Sequence, residues 1–537
     1  LQIRPVDGNK TASPFALPHA GHPVTTLDDR TPIIIGVGEA SEQLGQPGYA
    51  ALSPADLAGK AAAAALTDAL SVETLAGEID VIAAIRQFEV STPRAMAPFG
   101  HSNNFPRSVG KRIGANPKRA VWEITGGQGP QHLVNEFSAS IARGESEMVL
   151  LVGSESISTM RDLLTKGEKP DWSETVEGDI EDRGYGLEGL AEPTLGRHGA
   201  IAAMYYYAMF ENARRGRLGL SRAEYAPKMG EVFAPFTEVA SRNPHAMARE
   251  VRSAEELVTV NARNRLVSDP YPRFVVSRDQ ANQGAAVLLT SVGKARALGI
   301  PEAKWVYLHG YADVYERSVL ERQDMSRSPA SVAAMKQAMD AAGVTLDQIG
   351  VFDIYSCFPI AVLNICDGLG LSPTDPRGLT VTGGLPFFGG AGNNYSMHGI
   401  AEIVGVLRSK PGAYGLLGAN GGMLSKYSTG VYSTTPAPFT EISSKPLQAT
   451  VDAWEKPALA EAPNGAATIE TYTIDYGKPD APRPIVVARL SATNERFVTT
   501  SAPGDTATVQ RMIAEEPLGK AIAVTAGEKG LNIFTFA

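Results

Sequence analysis

The stretch Arg119 to Arg143, RAVWEITGGQGPQHLVNEFSASIAR, reads as a strand, a sharp turn and a helix. Arg119 to Thr125 is the predicted strand, Gly126-Gly127-Gln128-Gly129-Pro130 the turn, and Gln131 to Arg143 an amphipathic helix. Glycine alone takes φ > 0 without steric cost, so such a run marks a tight backbone path beside a ligand or another backbone. A second turn of this kind runs from Gly383-Gly384-Leu385 through Gly389-Gly390-Ala391-Gly392 into a helix predicted from about Asn394 to Arg408. Neither turn supplies a nucleophile.

Both halves of the chain repeat one order of elements. Strand Pro32 to Gly38 precedes an alanine-rich helix opened by Ser53-Pro54-Ala55-Asp56, and strand Ile79 to Ile85 follows. Strand Trp305 to Gly310, a helix opened by Ser328-Pro329-Ala330-Ser331, and strand Ile349 to Ile354 repeat this order. Apolar strands Met148 to Ser156 and Tyr414 to Gly422 then end in glycine and small polar residues. This alternation predicts an α/β fold of two pseudo-repeated βαβ halves, with mostly parallel sheets covered by helices on both faces.

The 537 residues suffice for two or three domains, and a net charge of −9 argues against nucleic acid or an anionic membrane as partner. Two cysteines, Cys357 and Cys366, are too few for a disulfide framework or a structural metal site, so no metal is expected. No apolar run reaches the roughly 18–20 residues of a membrane span, and the polar N-terminus carries no signal-peptide pattern, so a cytoplasmic location is expected.

An N-terminal arm over 1–30 precedes a first half over 31–300. That half includes an excursion over 157–279 with one helical stretch around Ala200 to Arg215. The second half covers 301–435, and a Pro- and Ala-rich linker over 436–448 leads to a small domain over 449–537. Six strands are predicted there, Ala467 to Tyr476, Pro484 to Leu490, Arg496 to Ser501, Ala507 to Ile513, Ala521 to Thr525 and Leu531 to Phe536, at the spacing of a small antiparallel, OB-like β-barrel. The linker is expected to carry few contacts.

Asp269-Pro270 followed by Asn282-Gln283-Gly284-Ala285-Ala286, Asp353-Ile354-Tyr355-Ser356-Cys357-Phe358, Gly383-Gly384-Leu385 and Gly421-Gly422-Met423 resemble, in order, landmarks of the thiolase superfamily. The second of these resembles the NEAF segment of classical thiolases and the HDCF segment of the sterol-carrier-protein branch. With the added C-terminal β-domain, the chain most resembles the group called thiolase-like protein type 1. The resemblance covers roughly Thr31 to Thr435 and implies the layered αβαβα thiolase fold.

It also implies an altered site. Thiolases form an acyl-cysteine, use a second cysteine as acid and base, and hold the thioester oxygen with histidine and backbone amides. The matching positions are Gly127 for the nucleophile, Gly418 for the second cysteine, Gly390 for the histidine of the family's GHP motif, and Tyr355 for the asparagine or histidine of NEAF or HDCF. Gly21-His22-Pro23 spells GHP but lies in the polar arm, and the match is coincidental.

The resemblance therefore implies a CoA or acyl-CoA ligand, held non-covalently, on a degenerate site without classical thiolase activity. The alternatives are a non-covalent carbon–carbon lyase (aldolase) or another acyltransferase acting on an acyl-CoA, in lipid metabolism. Tyr355 and His398 are the candidate catalytic residues, and Gly127, Gly129, His132, Gly390, Asn393 and Asn420 the candidate substrate-binding ones. The two glycine turns are expected to face each other across a pocket wide enough for a thioester. Thiolases are usually dimers or tetramers, so an oligomer is possible.

Overall fold

The computed structural model describes residues 27–188, 190, 192–478 and 480–537. Positions 1–26 of the predicted arm, with Gly21-His22-Pro23, lie outside the described residues. The first half runs β1 (Pro32–Ser41), α1 (Pro54–Ala69), β2 (Val81–Ala84), α2 (Phe105–Ile113), β3 (Arg119–Trp122), α3 (Gly129–Ala142) and β4 (Met148–Ser156). The excursion adds β5 (Glu181–Asp182), α4 (Ala203–Arg217) and α5 (Arg222–Arg242), and β6 (Asn282–Ser291) closes the half. The second half runs β7 (Val306–Tyr315), α6 (Pro329–Ala342), β8 (Ile349–Ile354), α7 (Pro359–Leu369), α8 (Tyr395–Ser409), β9 (Tyr414–Gly421) and β10 (Lys426–Ser433).

These strands form one ten-stranded path, β8-β9-β10-β7-β1-β6-β4-β2-β3-β5, with its two halves joined where β1 meets β7 through Ile33–Tyr307 and Ile34–Val306. The sheets are mixed rather than mostly parallel. β2 pairs in parallel with β3 and β4, and β8 with β9, whereas β6 runs antiparallel to β1 and β4, and β10 to β7 and β9. The cause is connectivity: β10 follows β9 through a short turn, and a hairpin forces antiparallel pairing.

Apolar side chains of α3 and α8, among them Leu133, Phe137, Ile400 and Leu407, are buried between the two half-sheets. α1 and α2 cover the outer face of the first half, while α6, α7, α4 and α5 share a core with the second. This is the αβαβα layering. Ser53 caps α1 by accepting from the Asp56 amide, and the alanine face of α1 lies against Gly36 and Gly38 of β1. A Cβ at Gly36 would meet the Ala65 carbonyl at 2.2 Å, so the close helix–strand approach requires glycine there.

One helix appears where none was predicted, and one predicted strand is a helix. α5 was not expected because Pro227 and Pro235 interrupt its pattern; a capping box of Ser221 with Glu224 starts it, and burial of Tyr225, Met229, Val232, Phe233 and Phe236 outweighs the helix-interior cost of proline. The predicted strand Ala507 to Ile513 is the helix Thr506–Ala514, capped by the Asp505 side chain, with Val509 and Met512 on its buried face. The C-terminal sheet therefore has five strands of its own, β11 (Gly465–Asp475), β12 (Arg483–Leu490), β13 (Arg496–Thr499), β14 (Ala521–Thr525) and β15 (Ile533–Phe536), in the antiparallel order β13-β12-β11-β14-β15. A bridge from Thr500 to Ile533 draws the two edge strands together.

This sheet also takes in the short strands Leu266–Ser268 and Tyr271–Pro272 of the excursion. Asn212 donates to the carbonyls of Asp269 and Tyr472, Thr471 to that of Met209, and buried Arg215 pairs with Glu516 at 2.5 Å. Arg496 of β13, fully buried, reaches the carbonyls of Leu320, Arg322 and Gln323. The predicted linker holds the start of a helix, Lys445–Asp452, and Phe439 within it stacks on Tyr311. The sparse boundary expected from proline content is not what the chain builds.

Candidate functional site

The turn after β3 and the turn before α8 meet at the strand ends. Gly126, at φ +145°, donates its amide to Asn393 Oδ1 at 3.1 Å. Asn393 Nδ2 donates in turn to the Arg86 carbonyl at 2.7 Å and to Ser91 Oγ at 2.9 Å. Ser396 Oγ donates to the Gly127 carbonyl at 2.7 Å. Asn393 thus ties the turn of one half to that of the other.

Tyr355 follows β8, its amide donating to the Gly418 carbonyl at 3.0 Å. Its ring stands edge-on to Tyr395 at 5.4 Å, and its hydroxyl lies over Gly127. A Cβ on Gly127 would meet Tyr355 Oη at 2.5 Å and the Asn420 carbonyl at 2.6 Å. Tyr355 and Asn420 therefore pack directly against Gly127. Asn420 Nδ2 donates to Tyr207 Oη at 2.7 Å and sits 4.0 Å from Cys357 Sγ. At Gly418 a side chain would meet Tyr427 Oη and the Met335 methyl, and at Gly129 the Ile85 methyl at 3.2 Å. Burial raises the Tyr355 phenol well above the ordinary tyrosine range and pushes the Cys357 thiol up to about 12. Both groups are protonated at neutral pH.

Gly390 faces elsewhere. Its amide donates to the Arg278 carbonyl at 2.7 Å, and a Cβ there would meet Ser277 Oγ at 2.6 Å. Ser277 and Arg278 line a cleft of about 840 Å³ whose wall carries six arginines: Arg249, Arg252, Arg263, Arg265, Arg273 and Arg278. Met204, Val267, Phe274, Val276 and Phe387 form its apolar side. Arg252 pairs with Glu250 and lies 4.1 Å from the Phe274 ring centroid. Arg273 and Arg278 make no ion pair or side-chain hydrogen bond among the described residues. Burial and the charge of Arg273 lower the Arg278 pKa, against the opposing pull of the Asp279 carboxylate. The two guanidinium groups repel each other and concentrate positive charge on this part of the cleft, whose lining also holds Glu250 and Asp279. The pattern reading passed over this cluster, although the density of arginine between Arg249 and Arg278 was its signal.

His398, on α8, is fully buried, with Nδ1 2.5 Å from Glu39 Oε1 and its ring edge-on to Phe388. Burial drives its pKa down to about 3, so the ring is neutral. Glu39 also meets Glu402, one turn along α8. His132 lies outside both the cleft and the turns. Its Nδ1 is 3.2 Å from Asp313 and its Nε2 3.7 Å from Glu136, and carboxylates including Glu123 hold it as an imidazolium, with a pKa raised to about 9 against the cost of burial. Glu123, His132 and Glu136 are close enough to share an ion, yet the Arg183 guanidinium already bridges the two carboxylates at 2.7 and 2.6 Å. A cationic side chain fills the place of a metal.

The family profile described as "Thiolase-like protein type 1 additional C-terminal domain" matches residues 446–529. No curated protein matches the chain. Among solved structures, a monomeric SCP2-thiolase like protein type 1 from Mycobacterium smegmatis is 46% identical, covers 95% of this chain and 100% of its own, and superposes with a TM-score of 0.82. An Ltp2-ChsH2(DUF35) aldolase is 17% identical over 78% of this chain and 99% of that one, with a TM-score of 0.55. Human mitochondrial 3-ketoacyl-CoA thiolase in complex with CoA is 19% identical over 75% and 98%, with a TM-score of 0.53. The latter two likenesses concern the fold alone.

Proposed function

Because the chain belongs to the SCP2-thiolase-like proteins of type 1, we propose that it binds coenzyme A or an acyl-CoA non-covalently in the arginine cleft, without forming an acyl-cysteine. The observation that supports this most is the pair Arg273 and Arg278, which make no ion pair among the described residues and lie in a cleft that adjoins Gly390, the position matching the family's catalytic histidine. The phosphates of CoA supply the charge that these guanidinium groups lack. The apolar wall of Phe274, Val276 and Phe387 suits the less polar parts of the ligand. Cys357 and Cys366 are both buried, with thiols pushed up to about 12, which disfavours a thiolate nucleophile.

Calorimetric titration of the intact protein with CoA is the test. A micromolar-scale constant, about 8 kcal/mol of binding free energy, is expected. Arg278→Glu should weaken it by about tenfold or more, since it removes a charge-assisted bond and adds repulsion. No binding by the wild type sinks the reading.

A carbon–carbon lyase is the second reading, supported by one feature. The Tyr355 hydroxyl has no hydrogen-bond partner among the described residues and stands at the position matching the nucleophile. As a neutral phenol it would act as a proton donor to a substrate carbonyl, not as a base. Tyr355→Phe should then abolish aldol cleavage of a β-hydroxyacyl-CoA while sparing CoA binding. For compartment we propose the cytoplasm, consistent with two free thiols. For the C-terminal unit we propose an OB-like barrel, consistent with five strands and a helix between the third and fourth.

A further inference from the structure

α6 and α7 pack side by side, and their facing sides leave a hollow of about 300 Å³. Pro329, Val332 and Lys336 of α6 line it, as do Asn364, Asp367 and Gly368 of α7, each set at the spacing of one helical face. Gly368 sets how closely the helices approach, because a Cβ there would collide with Val332 Cγ2. None of these residues lines the arginine cleft.

α7 is apolar from Ile360 to Cys366 except at Asn364, which is 3% exposed. Neither Oδ1 nor Nδ2 of Asn364 has a hydrogen-bond partner among the described residues. A buried carboxamide left in this state costs stability, and what satisfies it has to offer a donor and an acceptor side by side. Charge adds a second requirement. Ser328, at the N-cap of α6, turns its hydroxyl to Ser331 Oγ at 2.7 Å, and no side chain caps the first-turn amides. Lys336 is exposed and makes no ion pair or side-chain hydrogen bond among the described residues. Arg327, also in the lining, meets Asp324 in a half-exposed pair at 3.2 Å. The one acid of the lining, Asp367, is already held by the guanidinium groups of Arg214 and Arg217.

We propose that this hollow binds a nucleoside monophosphate, with the phosphate at the α6 N-terminus beside Arg327 and Lys336 and the edge of the base on Asn364. An uncapped helix N-terminus with basic side chains suits a phosphate, and helical side chains lean towards the N-terminus, which brings Lys336 back over the hollow. A carboxamide pairs with N6 and N7 of adenine through two hydrogen bonds, meeting both needs of Asn364. Pro329 and Val332 offer the base an apolar surface. The volume lies at the small end of the roughly 300–1,000 Å³ range of ligand pockets, which suits a mononucleotide better than a larger cofactor. The site stands whether or not the arginine cleft holds CoA.

The experiment is calorimetric titration of the intact protein with AMP and with ribose 5-phosphate, which lacks the base. The wild type should bind AMP about tenfold or more tightly than ribose 5-phosphate, and in Asn364→Leu that preference should vanish. Lys336→Glu should weaken AMP by about tenfold. Arg278→Glu, in the other cleft, should leave AMP binding intact. No AMP binding by the wild type overturns the proposal, as does a preference that persists in Asn364→Leu or AMP binding that is lost in Arg278→Glu. Should Asn364→Leu fail to fold, the exposed Lys336→Glu change decides, and unaltered AMP binding there overturns the site.

Discussion

Tyr355 and Gly127 exclude one another's side chains: the Tyr355 hydroxyl occupies the place where a Cβ on Gly127 would begin, 2.5 Å away. One residue comes from the first half and the other from the second, so their contact joins the two halves at the strand ends. Gly127→Ala should cost about 1 to 3 kcal/mol through overpacking. In a Tyr355→Ala background the same change should cost clearly less, and a double-mutant cycle in urea measures the coupling. Additive costs would mean that the tyrosine moves aside freely.

Incubation with acetoacetyl-CoA should leave the intact mass of the protein unchanged and produce no acetyl-CoA. Both cysteines are buried thiols, and positions 127 and 418 are glycine. A hydroxylamine-sensitive acetyl adduct on Cys357 or Cys366 would contradict this expectation.

The C-terminal unit should not be separable. Arg496 is fully buried, pairs with Glu470 at 2.5 Å and supplies donors to carbonyls at 320, 322 and 323. Breaking such a pair leaves buried charge and unpaired carbonyls, so Arg496→Ala should lower stability by about 3 to 5 kcal/mol. A chain ending near Pro436 should aggregate, since it leaves Arg215 without Glu516 and exposes the face that Ile485, Val487 and Val498 cover. Soluble, cooperatively unfolding protein from that truncation would show the contacts to be dispensable.

His132 should make stability pH-dependent on the alkaline side. Its pKa is raised to about 9 from 6.5, so its contribution is full below 6.5 and is lost as pH rises through 9. Urea midpoints of the wild type and His132→Asn should differ at about pH 6.5 and converge at about pH 10. A constant gap would assign His132 a packing role only.

The outer edge of β3 is covered by β5, which pairs Val121 with Glu181 and Trp122 with Asp182. The edge that remains at this end is the two-residue, acidic β5, a poor template for pairing with a second copy. Light scattering should therefore report a monomer; a dimer at micromolar concentration would place the interface on another surface.

The alternation of strands and helices, the glycine turns and the ordered landmarks were legible in the chain, because period-2 and period-3.6 patterns and glycine's backbone freedom are local properties. Met148 to Ser156 and Ile349 to Ile354 have the bounds that their apolar runs predict. α5 and Thr506–Ala514 were not legible, because burial against other elements overrode proline and strand propensity. Only the tertiary structure put Tyr355 on Gly127, gathered the arginines of the excursion beside Gly390, and brought Glu39 to His398, 359 residues further along. Sequence periodicity specifies which face of an element is apolar, but which distant faces meet depends on packing the whole chain, and the site is made entirely of such meetings.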